Sequence, residues 1–215
     1  MIVGLDMGGT HIDAVIIDKG NIISTVKKPV DSLKIFESIL ATLDELLLGL
    51  PISKIQRINL STTISTNAIV EGNTSPVGMI IQRGPGLFHD FLACGHENIF
   101  ISGYIDHRGT SVKDVDPQEI QRARKLFIDK EIKCCAIVTK FSTRNFRHEL
   151  SIKDCLKDGF SHITMGHTLS GNLNFPRRVF TAYLNSATYH IFKQFADSIE
   201  ISVEQKAIGH IPLHI

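Results

Sequence analysis

Met1-Ile-Val-Gly-Leu-Asp-Met-Gly-Gly-Thr-His-Ile-Asp-Ala-Val-Ile-Ile-Asp18 is the stretch that decides the fold. Ile2, Val3 and Leu5 lead into Asp6, and after Gly8-Gly9 an apolar run resumes from Ile12 to Ile17, so the segment reads as two strands joined by a tight turn. Asp6 then stands at the rim of a buried strand. Glycines at 8 and 9 can take backbone angles closed to other residues and carry no side chain. A bulky anion can therefore lie against their N–H groups, with Thr10 adding a hydroxyl donor. The pattern predicts a phosphate cradle with a metal-organising carboxylate beside it. A plain hairpin, in which the glycines serve only the turn, would use the same residues. No Gly-Lys-Ser/Thr follows and the spacing is not G-x-G-x-x-G, so neither a Walker loop nor a dinucleotide fingerprint is present.

The rest of the chain is that of an ordinary globular protein. It has 215 residues, 43% hydrophobic and 21% charged, with no Trp, which allows one good core or a domain with a substantial subdomain. A formal charge of +1 with scattered Lys and Arg gives no polyanion-binding footprint, so nucleic acid is not expected as a partner. No apolar run approaches the roughly 20 residues that span a bilayer, and the N-terminus enters a strand without a basic leader. No membrane association and a cytoplasmic location are the expectations. Cys94, Cys134, Cys135 and Cys155 show no C-x-x-C spacing. Cys134 and Cys135 should point to opposite faces of a strand as buried thiols. None of the ten histidines forms a close ligand pair.

Along the chain, Asn21 to Lys28 reads as a third strand after a Lys19-Gly20 turn, so three antiparallel strands open the sheet. A helix follows, capped at Asp31 or Ser32, with Phe36, Ile39, Leu40, Leu43, Leu46 and Leu47 as its stripe and a stop at Gly49 and Pro51. Ile55 to Leu60 is a short strand that runs into Ser61-Thr-Thr-Ile-Ser-Thr-Asn67. This cluster of hydroxyls sits at a strand-to-helix junction. One cap needs a single hydroxyl, and ligands of open α/β sheets collect at carboxyl ends of strands, so Thr62, Thr63, Ser65 and Asn67 form a second candidate site element. Pro76 to Ile81 is another buried strand, delivering Gln82-Arg83-Gly-Pro-Gly86, where Arg83 can clamp an anion or simply be solvated.

Residues 87–113 show no firm element, the kind of connection that carries a binding function or a small subdomain. Asp116-Pro-Gln-Glu119 starts a helix with Ile120, Ala123, Leu126 and Phe127 buried. Then come a strand at Cys134 to Val138, a helix from Arg144 to Lys157, a strand at His162 to Met165, and a long helix from about Pro176 to Ser198. The alternation argues a parallel extension of the sheet. The long helix has a stripe of Val179, Phe180, Tyr183, Leu184, Ala187, Ile191 and Phe195. The tail from Ala207 to Ile215 looks like the opening of another strand.

The first motif resembles the first phosphate motif of the actin, sugar kinase and Hsp70 superfamily, in which the Asp lies near the Mg²⁺ of ATP. Five blocks together resemble the ATP-dependent hydantoinase/oxoprolinase family in its A-type subunit: Gly4 to Asp13, Ser61 to Glu71, the Arg83-Gly84 to Gly95 loop, Phe141 to Glu149 and Ala182-Tyr-Leu-Asn185. The resemblance implies an α/β fold, a ribonuclease H-like (actin-like ATPase) lobe. Its mixed sheet would have three antiparallel opening strands, then parallel strands and flanking helices. It implies ATP and Mg²⁺ as cofactors and a cyclic amide or imide as substrate, opened after phosphorylation of its carbonyl oxygen. Asp6 would be catalytic and hold the metal; Gly8, Gly9, Thr10 and His11 would join it in binding the cofactor. Thr62, Thr63, Asn67 and Arg83 would face the substrate, with Thr63 and Asn67 also catalytic. A B-type subunit and a second copy of the chain are the protein partners it allows.

The resemblance implies a second lobe beyond this one. Residues 1–175 would form the first lobe, with a loop-rich insertion at about 83–115; residues 176–200 would be an inter-lobe helix and 201–215 the start of the second lobe. By itself the chain is expected to bind nucleotide weakly and not to hydrolyse it. His11 stands where an aromatic is usual, and Leu60-Ser61 replaces the usual His-Gly. A sugar-kinase-like lobe, which should add Glu-x-Gly-His and a zinc motif, and a non-catalytic subunit-binding lobe are the alternatives. No residue in these motifs reads as a general base.

Overall fold

The computed structural model describes residues 1–31, 34–88, 90–156 and 158–214. The chain divides into two compact units, one made of residues 1–73 and 190–215, the other of residues 74–189.

In the first unit the opening hairpin forms as the sequence predicts. β1 (Ile2–Met7) and β2 (His11–Asp18) are antiparallel, with Leu5 opposite Ala14 and Asp6 opposite Asp13. β3 (Asn21–Pro29) returns through Lys19 and Gly20, whose φ values of 49° and 84° are the left-handed pair of a two-residue hairpin turn that follows the strands' own twist. β4 (Arg57–Thr62) runs parallel to β1, and β11 (Leu213–His214) runs parallel to β4, giving the order β11-β4-β1-β2-β3. The predicted tail strand therefore completes this first sheet. Alternation puts Val3, Leu5, Met7, Ile12, Ala14, Ile16, Ile58 and Leu60 on one buried face. Against that face pack α1 (Ile35–Leu46), through Ile39, Leu43 and Leu46, and the second half of α6 (Phe175–Gln205), through Phe195, Ile199 and Val203.

Two expectations here need correction. α1 starts after Lys34, which makes no side-chain cap bond, rather than at an Asp31 cap; Lys34 N–H donates to the Asp31 carbonyl at 2.9 Å. Ser32 lies outside the described residues. α6 runs on to Gln205 because Ile199 and Val203 continue the four-residue spacing set by Phe195. In its first half the buried line is Val179, Ala182 and Ala187, and Phe180 and Leu184 fall on the flank, 43% and 37% exposed.

In the second unit β5 (Val77–Gln82) and β9 (Cys134–Thr139) are buried at every position, as expected of central parallel strands covered on both faces. β6 (Glu97–Phe100) and β10 (His162–Met165) flank them in the order β10-β9-β5-β6, all parallel. The parallel run is thus a sheet of its own and not an extension of the first, because the edge of β4 already belongs to β11. Cys134 faces the core of Met79 and Val179, and Cys135 the core of Ile80 and Phe127, opposite sides as predicted. Burial pushes both thiols up, and Cys94 to about 11. The loop-rich stretch holds β6 and a small hairpin of β7 (Tyr104–Ile105) and β8 (Ser111–Lys113).

α3 (Pro117–Asp129) has the predicted Asp116 cap, whose carboxylate accepts from Gln118 N–H. Glu119, however, turns to the Ser102 N–H at 2.7 Å. α4 (Arg147–Leu156) begins later than expected, because Arg144 N–H and Asn145 N–H first close a turn on the Phe141 carbonyl. Lys157, its predicted last residue, lies outside the described residues. α2 (Ile64–Val70) and α5 (Gly166–Leu169) are short. Among the described residues no helix is long and apolar enough to cross a membrane.

Candidate functional site

The turn between β1 and β2 is narrower than a free loop of three donors. Gly8 N–H donates across it to the His11 carbonyl at 2.9 Å, and the Thr10 carbonyl accepts from Val30 N–H at 2.8 Å. Gly8 is therefore part of the ladder. Gly9 N–H and Thr10 N–H meet no acceptor among the described residues. Neither Gly8 nor Gly9 is in the left-handed region, so permissive backbone angles are not the reason for glycine. Space is the reason at Gly9: a Cβ there would lie 2.9 Å from Asn67 Nδ2, whereas at Gly8 it would meet only the His11 carbonyl at an ordinary 3.5 Å. The Thr10 hydroxyl is 3.0 Å from His11 Nδ1.

The β4–α2 junction holds that turn from behind. The Met7 carbonyl accepts both the Thr62 hydroxyl at 3.0 Å and the Thr63 N–H at 3.3 Å, and Thr62 Oγ1 accepts the Ile64 N–H at 3.1 Å. Thr62 thus caps and clamps instead of pointing a free hydroxyl outward. Thr63 Oγ1 accepts from Asn67 Nδ2 at 3.3 Å, and that same nitrogen is the atom nearest the space above Gly9. The hydroxyl cluster and the glycine turn are brought together, and the Thr62 hydroxyl is engaged between the Met7 carbonyl and the Ile64 N–H.

Asp6 projects from the other face of the sheet. It is exposed and has no ion-pair partner among the described residues, while Asp13 opposite it is held by Lys27 Nζ at 2.8 and 2.9 Å. Asp6, Lys27, Asn59 and Ser61 line an open concavity of about 610 Å³. Gly8, Gly9 and Asn67 line a second cavity of about 210 Å³, floored by Met7, Ile35, Ile64 and Ile191 and rimmed by Glu71, Asn73 and Gln194. The predicted cradle is therefore split between two hollows of one unit. Glu71, Asn73 and Gln194 escaped the sequence reading; Glu71 closes the quoted motif, but nothing local marks Gln194.

Arg83 belongs to the second unit, where its guanidinium donates to the Leu87 carbonyl and folds its own loop. That unit holds two buried polar networks. Glu149, fully buried, accepts from Thr139 N–H at 2.9 Å, from His167 N–H at 2.9 Å and from His167 Nδ1 at 2.6 Å, and the ring of His167 stacks on Phe146. Arg178 ties the Asn172 and Thr139 carbonyls together. His148, 2% exposed, bridges Gln82 Oε1 at 2.8 Å and Ser111 at 2.9 Å. Buried, hydrogen-bonded side chains of this kind hold loops in place. Among the described residues no group of three or more His, Cys, Asp or Glu could hold a metal ion by itself.

Known proteins match this arrangement. The 5-oxoprolinase 1 of Arabidopsis thaliana is 23% identical over 185 aligned residues, covering 68% of this chain and 14% of that protein. The nucleotide-free structure of acetone carboxylase superposes with a TM-score of 0.82 at 17% identity, and an ATP-dependent caprolactamase from Pseudomonas jessenii with 0.74 at 20% identity. Each superposition covers 97% of this chain and 34% of the other, so the chain spans about a third of those two structures. Both share its α/β fold. The model of the hydantoinase/oxoprolinase N-terminal region matches residues 2–160, from the start of β1 to past the end of α4, and the chain belongs to that family.

Proposed function

We propose that this chain is the phosphate-binding N-terminal lobe of an ATP-dependent hydrolase that opens cyclic amides or imides, working in the cytoplasm on a small molecule. The observation that carries this reading is the pair of N–H groups at Gly9 and Thr10, unpaired among the described residues and lying on a turn that a side chain at position 9 would crowd. Two successive N–H groups and a hydroxyl can form a nest for phosphate oxygens. The relatives' printed names, an oxoprolinase and an ATP-dependent caprolactamase, supply the substrate class.

Asp6 suits a divalent ion brought in by the nucleotide. Among the described residues its carboxylate forms no ion pair, the nearby Lys27 being held by Asp13, and Mg²⁺ is commonly held by one or two carboxylates together with phosphates. Bound Mg·ATP would supply the phosphoryl group that turns a ring carbonyl oxygen into a leaving group. The chain's own share is to fix the turn: Thr62 and Thr63 hold the Met7 carbonyl, and Asn67, bonded to Thr63, sets its carboxamide nitrogen beside Gly9. A B-type subunit and a second copy of the chain remain within this reading as further contributors.

Titration of the ¹⁵N-labelled chain with Mg·ATP tests the assignment. The Gly9 and Thr10 amide resonances are expected to shift with a millimolar-range dissociation constant and without hydrolysis, and Asp6→Ala to weaken the interaction about tenfold, near 1.4 kcal/mol. Silence at Gly9 and Thr10 would overturn the phosphate assignment. Tight binding with turnover would contradict the need for further chain.

A further inference from the structure

The cavity beside the Gly8-Gly9 turn has a chemistry that the phosphate assignment does not use. Its floor is aliphatic, from Met7, Ile35, Ile64 and Ile191, and its rim carries Asn67, Glu71, Asn73 and Gln194. At about 210 Å³ it is smaller than the roughly 300–1,000 Å³ of sites for drug-sized ligands, so it suits a compact ring and not a nucleoside. Glu71 is the single ionisable side chain among the lining residues, and none of them is cationic.

The rim's hydrogen-bonding capacity is open. Asn67 gives its N–H to Thr63, which leaves its oxygen as an acceptor. The side chains of Glu71, Asn73 and Gln194 meet no partner among the described residues. A ring amide presents one N–H, which the Asn67 oxygen or the Glu71 carboxylate can accept, and one carbonyl, to which the carboxamides of Asn73 and Gln194 can donate. A ligand that also carried a carboxylate would give up its hydration with no cation to receive it and would face Glu71.

We infer that this cavity receives an uncharged ring amide, a lactam or cyclic imide, and discriminates against 5-oxoproline, whose carboxylate is ionised at neutral pH. The inference rests on the proposed reading of the turn as the phosphate site and narrows its substrate. It sets this chain apart from the 5-oxoprolinase it resembles. Gly8 and Gly9 line the same cavity, so a seated ring lies against the turn itself.

The test uses ε-caprolactam and sodium 5-oxoproline as probes at matched ionic strength, with inorganic pyrophosphate titrated separately, all read from amide shifts of the labelled chain. Caprolactam is expected to shift the backbone of Asn67 and Glu71 and the side-chain amide of Gln194, with 5-oxoproline about tenfold weaker or more. Glu71→Lys, an exposed change at the carboxyl end of α2, should reverse that order. Equal or tighter binding of 5-oxoproline by the unaltered chain overturns the inference. So does silence of the cavity towards caprolactam, and if pyrophosphate still moves Gly9 and Thr10 in that case, the phosphate reading stands without it. Caprolactam shifts in the cavity with Gly9 and Thr10 silent to pyrophosphate would uphold the cavity's selectivity and sink the phosphate reading.

Discussion

Gly9 and Gly8 look interchangeable as letters and differ in what a methyl group would meet. Gly9→Ala must push Asn67 aside, and because the obstacle is the end of one side chain the stability cost should stay near 1 kcal/mol. Binding should suffer more, with pyrophosphate held about tenfold less tightly than by Gly8→Ala, read by amide titration and urea midpoints. A second residue-scale prediction concerns His148. Burial lowers its pKa below the ordinary imidazole value, Asp114 partly restores it, and Arg147 opposes protonation further. Gln82 gives its own N–H to Ser102, so its oxygen faces His148 Nδ1 and requires a proton there. With its folded pKa depressed, the histidine is protonated more readily in the unfolded chain, so its contribution is whole above the unfolded value and is lost as pH falls from there towards the folded one. Asp114, held below the usual carboxylate range by Ser111 and then Arg147, adds a loss at lower pH. The urea midpoint should therefore fall from about pH 7.5 to pH 5.5, and His148→Gln should flatten that slope.

Elements in this chain stand or fall by their ends and their close approaches. α3 owes its start to Asp116, so Asp116→Ala should cost about 1 kcal/mol, measured by urea unfolding. In β5, Gly78 lies under the ring of Phe127, where a Cβ would come within 2.7 Å of two ring carbons in a fully buried strand. Gly78→Ala should cost about 1–3 kcal/mol, and pairing it with Phe127→Leu should return part of that loss in a double-mutant cycle. Local signals were legible for these elements: the Asp-Pro start of α3, the Lys-Gly turn before β3, the paired cysteines of β9. They failed where a neighbour far along the chain decided. Glu119 satisfies a loop amide instead of its own helix start, and α1 begins after Lys34 without the cap that Asp31 offered.

For the whole molecule, the two ends of the chain meet in one sheet. β11 covers the edge of β4, and Ile208 and Ile211 enter the first core. Ending the chain after Lys206 should bare a strand edge and two core positions at once, so light scattering on warming should rise well before that of the full chain. The pairing of β4 with β11 is also the most non-local in its sheet, and its amides should gain protection late in refolding.

By itself the sequence determined the opening hairpin, the glycine turn with its hydroxyl-rich neighbour, and the membership that those motifs imply, because period-2 burial, turn residues and motif spacing are written in consecutive residues. Tertiary structure alone decided that the parallel strands form a separate sheet, that Gly8 N–H closes the hairpin while Gly9 and Thr10 stay open, and that Asp6 and the turn line different hollows. It also brought Gln194 from the last helix to the rim beside Asn67. Such outcomes depend on which strand edge, carbonyl or helix face is already occupied when the chain closes on itself, and that competition leaves no local trace.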